Sequence, residues 1–256
     1  MNSALIWNFA RQELIDRYAG SSLGFTWAFI QPLVLLFIFV VIFGSIMGSR
    51  LPGVDNSWGY SIYLISGMLP WLAFSSTLAR TSTVFTDKKH LLSKVGLSLP
   101  LMPLFIVLAE SITFVIALSL FFIFLIVLQE PWRPEALMLV PVFAVQQALA
   151  MGLGLLLGTL NVFLRDVREF VNVFIQLWFW VTPIVWVPGI VGDGLYGYLY
   201  YINPLVPLTE AYHAMFVGER GLDLLPLGLI ALLALVLLAL GLFTVRALER
   251  EIRDTL

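Results

Sequence analysis

The sequence predicts an all-α integral membrane protein with six transmembrane helices, and three observations lead to that prediction. Hydrophobic residues make up 60% of the 256 residues and charged residues only 12%, whereas a soluble domain carries about a quarter charged residues. The mean hydropathy is high, at +0.96. Six apolar runs each supply the roughly 20 residues that a helix needs to cross a hydrocarbon core.

The six predicted spans follow one another with short polar connections. They cover residues 24–47, 61–85, 99–128, 136–164, 170–187 and 224–245. The third and fourth runs are longer than one crossing requires, so we expect these helices to tilt or to begin at the membrane interface. The connections are too short to bury cores of their own. Residues 1–256 are therefore predicted to form a single transmembrane domain.

Basic residues predict the orientation of the spans, because cytoplasmic flanks collect Lys and Arg. Only Arg50, Arg133 and Arg220 fall in the loops opposite the termini, and Arg80 lies inside the second span. The other ten of the fourteen basic residues share the side of the termini: Arg11, Arg17, Lys88, Lys89, Lys94, Arg165, Arg168, Arg246, Arg250 and Arg253. The sequence therefore predicts that both termini are cytoplasmic.

The chain lacks the sequence signatures of common catalytic sites. It has no Gly-x-x-x-x-Gly-Lys-Ser/Thr phosphate-binding loop, so we expect the energy for transport to come from another chain or from an ion gradient. It has no cysteine, and its two histidines, His90 and His213, are predicted on opposite sides of the membrane as hydrated or interfacial residues. We therefore expect no metal site. The net charge of −2 also disfavours a nucleic-acid partner.

Two charged residues inside the spans predict an intramembrane ion pair. Arg80 lies in the second span and Glu110 in the third, at similar depths from the predicted inner face. An ionisable group at bilayer depth costs about 2.5–3.5 kcal/mol, so we expect each to have a partner of opposite charge. The alternative for Arg80 is that its long side chain reaches the membrane interface.

Aromatic residues in the middle of two spans form pairs at helical spacing. Phe39 and Phe43 lie in the first span, and Phe174 and Trp178 lie in the fifth. Packing, or contact with lipid, is one interpretation. The other is that these rings line a path for a ligand with flat apolar faces, such as a sugar ring. The residues alone leave both interpretations open.

Small and amide residues predict places where helices meet closely. Gly154 and Gly158 form one small-residue pair, and Gly44 and Gly48 form another. Amides inside the fourth span, such as Gln146, are interpreted as donors of hydrogen bonds between helices.

Several segments resemble one transporter family. Arg-Gln-Glu-Leu-Ile-Asp-Arg-Tyr at 11–18, followed by Leu-Gly-x-x-Trp-x-x-x-x-Pro at 23–32, resembles the entry to the first span of ABC-2 exporter permeases. Leu-Asn-Val-Phe-x-Arg-Asp-Val at 160–167, then Trp-x-Thr-Pro-Ile at 180–184 and Asn-Pro at 203–204, resembles the polysaccharide-exporting branch. Within that branch the sequence is most similar to the O-antigen (Wzm-type) permeases.

The resemblance implies a homodimer that works with two copies of a cytoplasmic ABC ATPase. ATP and magnesium would then bind to the partner chain, and this chain would be a transport subunit without enzymatic activity. The resemblance also implies that residues 1–23 form an amphipathic interface helix. Glu13 and Arg17 interrupt its apolar arc, at a spacing that suits an ion pair between them.

The resemblance further implies that residues 87–98 form a coupling loop to the ATPase. Thr86 or Asp87 is suited to cap a short helix that runs through Lys94. Together with the N-terminal helix, this loop gives the residues expected to contact the ATPase: Arg11, Arg17, Asp87, Lys88, Lys89 and Lys94.

Residues 188–223 correspond, by the same resemblance, to an outer gate region of short helices. Asn203, Pro204 and Pro207 are expected to break this region into two segments. The implied substrate is a polysaccharide on undecaprenyl diphosphate, exported from the cytoplasm to the outer face of the bacterial inner membrane. Its tunnel would lie at the dimer interface beside the first and fifth spans, and so beside the four aromatic residues in those spans: Phe39, Phe43, Phe174 and Trp178.

Other transport and enzyme classes remain as alternatives. Export of capsule, teichoic acid or another lipid-linked substrate is compatible with the same motifs. A secondary transporter would need paired intramembrane charges and repeated halves, and a membrane enzyme of lipid-linked sugars would need a cluster of acids or histidines. The spans hold one Arg and one Glu but no visible repeat, and no cluster of acids or histidines is evident.

Overall fold

We describe a computed structural model of the chain that covers residues 3–46, 58–89, 98–218 and 221–256, with the side chains at 3, 43–46 and 193 excepted. Every regular element in these residues is a helix. The prediction of an all-α protein is therefore confirmed for the described part of the chain.

The helices are numbered here in chain order. They are α1 (Ser3–Arg17), α2 (Trp27–Phe37), α3 (Gly59–Thr81), α4 (Val84–Asp87), α5 (Met102–Val127), α6 (Leu139–Phe163), α7 (Val167–Val181), α8 (Asp193–Ile202), α9 (Leu205–Phe216), α10 (Leu224–Ala247) and α11 (Glu249–Thr255). A π-helical segment, Ile38–Ile46, continues α2. Short 3-10 turns precede four of the helices: Gly24–Thr26, Leu99–Leu101, Pro134–Met138 and Pro188–Ile190.

Five of these helical segments are long and apolar enough to cross a membrane. They are Gly24–Ile42, Gly59–Thr81, Leu99–Val127, Pro134–Phe163 and Leu224–Ala247. They correspond to the first, second, third, fourth and sixth predicted spans. The protein is therefore a multi-pass membrane protein.

The fifth predicted span, 170–187, is interrupted in the structure. Helix α7 has 15 residues, which gives a length of about 22 Å, less than the roughly 30 Å of a hydrocarbon core. It ends at Val181 because Pro183 lacks a backbone donor and disfavours helical geometry at Thr182, which is extended with φ −104° and ψ 135°. The prediction of a continuous helix to residue 187 was wrong.

Helix α7 and the segment after it run antiparallel to α3. Near the start of α7, Arg168 Nη1 lies 3.9 Å from Asp87 Oδ1, just beyond the C-terminal end of α3. Past the other end of α7, the Tyr60 hydroxyl at the start of α3 donates to the carbonyl of Val185 at 2.8 Å. The chain from Arg168 to Val185 therefore extends as far as α3 does.

Helix α3 lies at the centre of the bundle. It packs against α5, α6, α7 and α9 and buries most of its residues, except along one stripe that includes Leu72. Gln146 of α6 donates from Nε2 to the carbonyl of Pro70 in α3 at 2.9 Å. This bond is of the kind predicted for amides in the fourth span.

Glycines on α6 allow two neighbouring helices to approach it closely. A Cβ added at Gly154 would overlap the side chain of Thr81 in α3, and one added at Gly158 would lie 2.9 Å from the Thr81 carbonyl oxygen. A Cβ at Gly152 would lie 2.6 Å from the backbone nitrogen of Leu238 in α10. The second predicted glycine pair falls outside the described side chains: Gly44 and Gly48.

The bundle has two hydrophobic cores, and the smaller one brings the terminal helices together. It contains Ala10 of α1, Phe85 of α4, Val162 of α6, Val245 of α10 and Ile252 of α11, all buried. Because α1 and α11 share this core, the N-terminal and C-terminal helices lie at the same end of the bundle.

Part of the region predicted to lie outside the membrane packs inside the helix bundle. Every residue of α9 except Glu210 is buried, and α9 packs against α3 and α6. A helix that is apolar on nearly all sides is expected to be buried. The prediction that 188–223 lies outside the membrane stays a prediction, to which the structure adds that α9 is enclosed by other helices.

The structure corrects the predicted environment of His213 on α9. It was predicted to be hydrated or interfacial, but it is only 7% exposed. Its ring stacks on Tyr63 with a centroid distance of 3.8 Å, and a Cβ on Gly67 would lie 2.9 Å from His213 Nε2. Burial lowers the pKa of His213 to about 3, so the imidazole is neutral at physiological pH.

Candidate functional site

Helix α1 is held to the bundle by charged side chains. The Glu13 carboxylate accepts a hydrogen bond from Arg80 of α3. The other oxygen of Glu13 lies 2.8 Å from Nζ of Lys88, which directly follows α4. Glu13 therefore joins α1 to the C-terminal end of α3 and to the segment beyond it.

Glu110 of α5 is the second carboxylate of this site. It accepts hydrogen bonds from Arg80 Nη1 at 2.5 Å and from Arg17 at the end of α1. Arg17 also donates to the hydroxyl of Thr113 at 3.3 Å. The structure thus brings together Arg80 and Glu110, the two residues proposed from the sequence to form an intramembrane ion pair.

The two carboxylates and three basic side chains form one charge chain, defined as Lys88, Glu13, Arg80, Glu110 and Arg17, in which positive and negative groups alternate. The Glu110 side chain is 3% exposed and that of Glu13 is 10% exposed, whereas the three basic side chains are each about a quarter exposed. A buried carboxylate is costly unless it is paired and hydrogen-bonded. The basic residues satisfy this requirement from three separate elements of the fold.

The sequence analysis found only part of this charge chain. Glu13 and Arg17 were expected to pair with each other, but each instead pairs with side chains of other helices. Their positions on the otherwise apolar arc of α1 were the available signal, because a charge on a buried face requires a partner elsewhere. Arg17 and Lys88, assigned to ATPase contact, also take part in pairs within the chain.

The remaining residues of the predicted coupling surface have different surroundings. Arg11 and Lys89 are exposed. Asp87 is exposed and lies 3.9 Å from Arg168. Helix α4 ends at Asp87, where the sequence analysis began a short helix, and Lys94 lies outside the described residues.

Helix α7 carries a row of aromatic side chains. Phe174 stacks on Phe170 with a centroid distance of 5.8 Å and contacts Trp178 at 4.9 Å. Phe174 is 40% exposed, so its ring borders open space at the surface of this chain. Trp178 is partly buried and packs edge to face on Phe74 of α3 at 5.3 Å.

The aromatic residues of the first predicted span differ from those of α7. Phe39 is 6% exposed and lies in the larger core, and its carbonyl accepts a hydrogen bond from the Ser61 hydroxyl at 3.0 Å. Within this chain Phe39 is thus a packing residue without an open face. The side chain of Phe43 is not among those that the structure describes.

Asn203 connects α7 to α9. Its Oδ1 accepts from the Trp178 indole at 2.7 Å and from the backbone N–H of Leu205, at the start of α9, at 3.0 Å. Its Nδ2 donates to the Thr182 hydroxyl at 3.1 Å. The sequence analysis identified Asn203 only as a helix break and missed this role.

The two prolines of the predicted gate region stand at the beginning of α9. Helix α8 ends at Ile202, Pro204 directly precedes α9, and Pro207 lies in its first turn. A proline is tolerated there because the first N–H groups of a helix have no partner within the helix. The described residues contain no cluster of His, Cys, Asp or Glu that could hold a metal ion.

The five long apolar helices define a helical membrane protein. A sequence model described as ABC-2 type transporter matches residues 4–217, which extend from α1 to just beyond α9. The chain belongs to this family, as its motifs indicated.

Relatives within the family are similar along most of their length. The O-antigen export system permease protein RfbA of Myxococcus xanthus is 29% identical over 236 residues, which cover 91% of this chain and 88% of that protein. RfbA of Klebsiella pneumoniae is 26% identical over 208 residues, covering 81% and 78%. The polysialic acid transport protein KpsM of Escherichia coli is 22% identical over 243 residues, covering 93% and 91%.

Proposed function

We propose that this chain is the permease subunit of an ATP-driven exporter that carries lipid-linked polysaccharide from the cytoplasm to the outer face of the bacterial inner membrane. The observation that carries the proposal is the similarity to O-antigen export permeases along 91% of the chain. Similarity to a polysialic acid transport protein extends over 93% of it. Among these two substrate types we favour an O-antigen-like polymer, because the identity to RfbA is higher.

In this proposal the chain crosses the membrane six times. Besides the five long helices, the remaining crossing, fifth in chain order, is α7 together with the segment to Val185, since these residues extend alongside α3 from Asp87 to Tyr60. An even number of crossings agrees with the position of α1 and α11 at one end of the bundle. The excess of Lys and Arg at that end supports a cytoplasmic location for both termini.

We assign ATP hydrolysis to a separate ABC ATPase, which would bind ATP and magnesium. Two permease chains would form a homodimer. The exposed residues Arg11, Asp87 and Lys89 support a docking surface for that ATPase on α1 and the 87–98 loop. Lys89→Glu should lower export and ATPase binding, whereas Lys89→Gln should have a smaller effect. Lys88→Glu is a poorer test because Lys88 pairs with Glu13.

The polymer path is assigned to the α7 aromatic row. Phe174 supports this assignment because its ring is both exposed and continuous with Phe170 and Trp178. Aromatic faces bind sugar rings without fixed charges that would have to be desolvated at each step. Across a dimer interface, the same faces of two copies of α7 would enclose a tunnel. Short helices α8 and α9 would close its outer end.

The test is deletion of the gene followed by complementation in the native strain. Loss of surface polysaccharide, with lipid-linked polymer accumulating inside the cell, is the expected result, and the wild-type gene should restore export. Co-purification of the chain should recover an ABC ATPase, with an intact mass that corresponds to two copies of each subunit. Normal surface polysaccharide in the deletion strain would refute the proposal.

A further inference from the structure

A cavity of about 310 Å³ lies between α2, α3 and α5, beside the last residue of α1. Its volume is within the range of roughly 300–1,000 Å³ that is typical of small-molecule sites. The three helices belong to segments that are long and apolar enough to cross a membrane. Five of the residues that line the cavity are nevertheless polar: Arg17, Gln31, Ser76, Glu110 and Thr113.

The three helices share one end with α1. Arg80, near the end of α3, donates to the Glu13 carboxylate of α1. Phe105, near the start of α5, contacts Phe9 of α1 with a centroid distance of 5.9 Å. Helix α2 follows α1 in the chain after a short 3-10 turn. The start of α2, the end of α3 and the start of α5 therefore all lie toward α1.

Polar and apolar lining residues are separated along these helices. Each helix contributes a polar residue nearer to α1 and an apolar residue farther from it: Gln31 and Leu35 from α2, Ser76 and Leu72 from α3, and Thr113 and Ala117 from α5. A membrane lipid has the same order, with a polar head group at the surface and hydrocarbon toward the middle of the bilayer. The cavity thus has the polarity of one lipid molecule whose head group lies on the side of α1.

Two polar side chains of the cavity have no hydrogen-bond partner in the part of the chain that the structure describes. They are the Gln31 amide and the Ser76 hydroxyl. The neighbouring hydroxyl of Ser75, by contrast, donates to the carbonyl of Leu72 at 3.2 Å. A polar group in an apolar environment is costly unless it is hydrogen-bonded. We therefore expect the occupant of the cavity to supply acceptors for Gln31 and Ser76.

Arg17 adds a positive charge at the polar end of the cavity. Within the described residues its guanidinium donates to Glu110 and Thr113, and its side chain is 24% exposed. A guanidinium has further N–H donors, in a planar arrangement that suits phosphate oxygens. Glu110 would repel a phosphate, but Arg80 pairs with it as well as Arg17.

The cavity lies on a different side of α3 from the α7 aromatic row. Phe74 of α3 packs on Trp178 of α7, whereas Leu72 and Ser76 line the cavity. With about 3.6 residues per turn, Phe74 is directed roughly opposite to both of them. A ligand in the cavity would therefore be separated from the proposed polymer path, as suits a lipid that stays bound and is not transported.

We propose that this cavity binds one glycerophospholipid, from the leaflet on the side of α1, which stays bound and joins α2 to α1, α3 and α5. The lipid phosphate would accept hydrogen bonds from Arg17, and the ester carbonyls would accept from Gln31 and Ser76. An acyl chain would fill the apolar part of the cavity. A polyprenyl diphosphate has no ester carbonyl and would leave Gln31 and Ser76 without those acceptors. The site is independent of the exported polymer.

Native mass spectrometry of the full-length chain in detergent tests the class of lipid. Three probes are compared: dioleoylphosphatidylglycerol, dioleoylglycerol, which lacks the phosphate, and undecaprenyl diphosphate, which lacks the ester carbonyls. We expect saturable binding of one phosphatidylglycerol per chain and weaker binding of the other two. Equal binding of dioleoylglycerol would refute the phosphate contact. Equal or stronger binding of undecaprenyl diphosphate would assign the cavity to a transported lipid and refute the proposal.

Two adjacent serines of α3 provide a matched pair of variants for the same measurement. Ser76 lines the cavity and Ser75 does not, and both are partly buried. Leucine has a high helix propensity, so both substitutions are compatible with α3. Ser76→Leu should lower phosphatidylglycerol binding about fivefold or more, since loss of one hydrogen bond of about 1 kcal/mol corresponds to that factor. Ser75→Leu should bind as the wild type does, and equal binding by the two variants would refute the site.

Gln31→Leu removes a second donor from a different helix. Gln31 is exposed, so this variant should fold even if Ser76→Leu does not accumulate. We expect a reduction of about fivefold here also, and wild-type binding would refute the site. That result would leave the proposed export function intact. Normal surface polysaccharide in the deletion strain would instead refute the export function and leave the lipid site intact.

Discussion

Helices α3 and α7 run side by side, but α3 is much more deeply buried within this chain than α7 is. Residues such as Leu64, Ile65 and Leu78 of α3 are at most 1% exposed. Of the 15 residues of α7, Val167 and Val171 are the buried ones, and Leu177 and Trp180 are 62% and 65% exposed. Most of the α3 surface is thus covered by this chain itself, whereas α7 leaves an apolar face for lipid or for a second subunit.

The two helices are also fixed by different interactions. At α3, buried charges and glycine contacts restrict the position of the helix on several sides. At α7, a ring contact and the Asn203 hydrogen bonds restrict mainly the end that precedes Pro183. Substitutions around α3 should therefore affect stability strongly, and substitutions on the open face of α7 should affect assembly or transport instead.

The largest effect is expected at Glu110, which pairs with two arginines. Glu110→Gln removes the charge that compensates Arg80 and Arg17, and breaking a buried pair typically costs about 3–5 kcal/mol. Thermal unfolding in detergent measures the loss. Glu249→Gln is the matched control, because Glu249 pairs with Arg253 at an exposed i, i+4 position worth about 0.3–0.5 kcal/mol. Equal losses in the two variants would contradict the charge chain.

Exchange of the charges at Arg80 and Glu110 sharpens this test. If the two residues formed an isolated pair, Arg80→Glu combined with Glu110→Arg would restore part of the stability. In the charge chain the exchanged residues would lie beside like charges, Glu13 and Arg17. We therefore expect no recovery in the double variant. Recovery would show that Glu13 and Arg17 do not contact the pair.

The next largest loss of stability is expected where α6 contacts α3. Gly154→Leu forces atoms into the space of Thr81, and overpacking of this kind costs about 1–3 kcal/mol or more. The same substitution at Gly228 of α10 is the control, since a Cβ there would meet no atom within 4 Å. Unfolding midpoints in detergent should fall for Gly154→Leu alone. Unchanged stability of Gly154→Leu would rule out the close approach of α3 and α6.

Burial of His213 against α3 predicts a stability that depends on pH. The pKa of His213 falls from 6.5 to about 3 on folding, so between these values the unfolded chain binds a proton that the folded chain does not. Stability should therefore decrease as the pH falls below 6.5, by roughly 2 kcal/mol at pH 5. His213→Phe should remove this component of the pH dependence. An unaltered slope in His213→Phe would show that other groups cause it.

The sequence predicted the features that depend on local composition and spacing. Five spans, the Gly154 and Gly158 contact and the proximity of Arg80 to Glu110 each follow from hydrophobic length, residue size or the cost of a buried charge. The end of α7 could have been anticipated from Pro183 alone. The apolar residues after Val181 instead led to the prediction of a helix that continued to residue 187.

The features missed by the sequence analysis depend on contacts between distant segments. Burial of His213 requires Gly67 and Tyr63 of α3, which no local pattern places beside α9. The pairing of Glu13 with Arg80 is also between distant segments, and a spacing of four residues on α1 favoured the wrong partner. The hydrogen bonds of Asn203 depend on the position of α7 relative to α9.

A smaller loss of stability is expected where α7 is fixed to α9. Trp178→Phe keeps the ring near Phe74 but removes the N–H that Asn203 accepts. A single hydrogen bond contributes about 1 kcal/mol, so the unfolding midpoint should decrease slightly. Trp186→Phe is the control, because its indole N–H donates to the carbonyl of Trp180 at an exposed site. Equal effects would mean that the bond to Asn203 does not fix α7 to α9.

The smallest effect on protomer stability is expected on the open face of α7. Leu177→Ala removes a side chain that is 62% exposed, so the stability of the isolated chain in detergent should change by less than about 0.5 kcal/mol. If this face contacts a second permease, the same variant should shift the intact mass of the purified complex toward single permease chains. Leu229→Ala on α10, at an equally exposed position, should leave the mass unchanged. If both variants dissociate, or if neither does, the open face of α7 would be assigned to lipid. The contrast between α3 and α7 would then reflect their positions in the membrane and not the assembly of two chains.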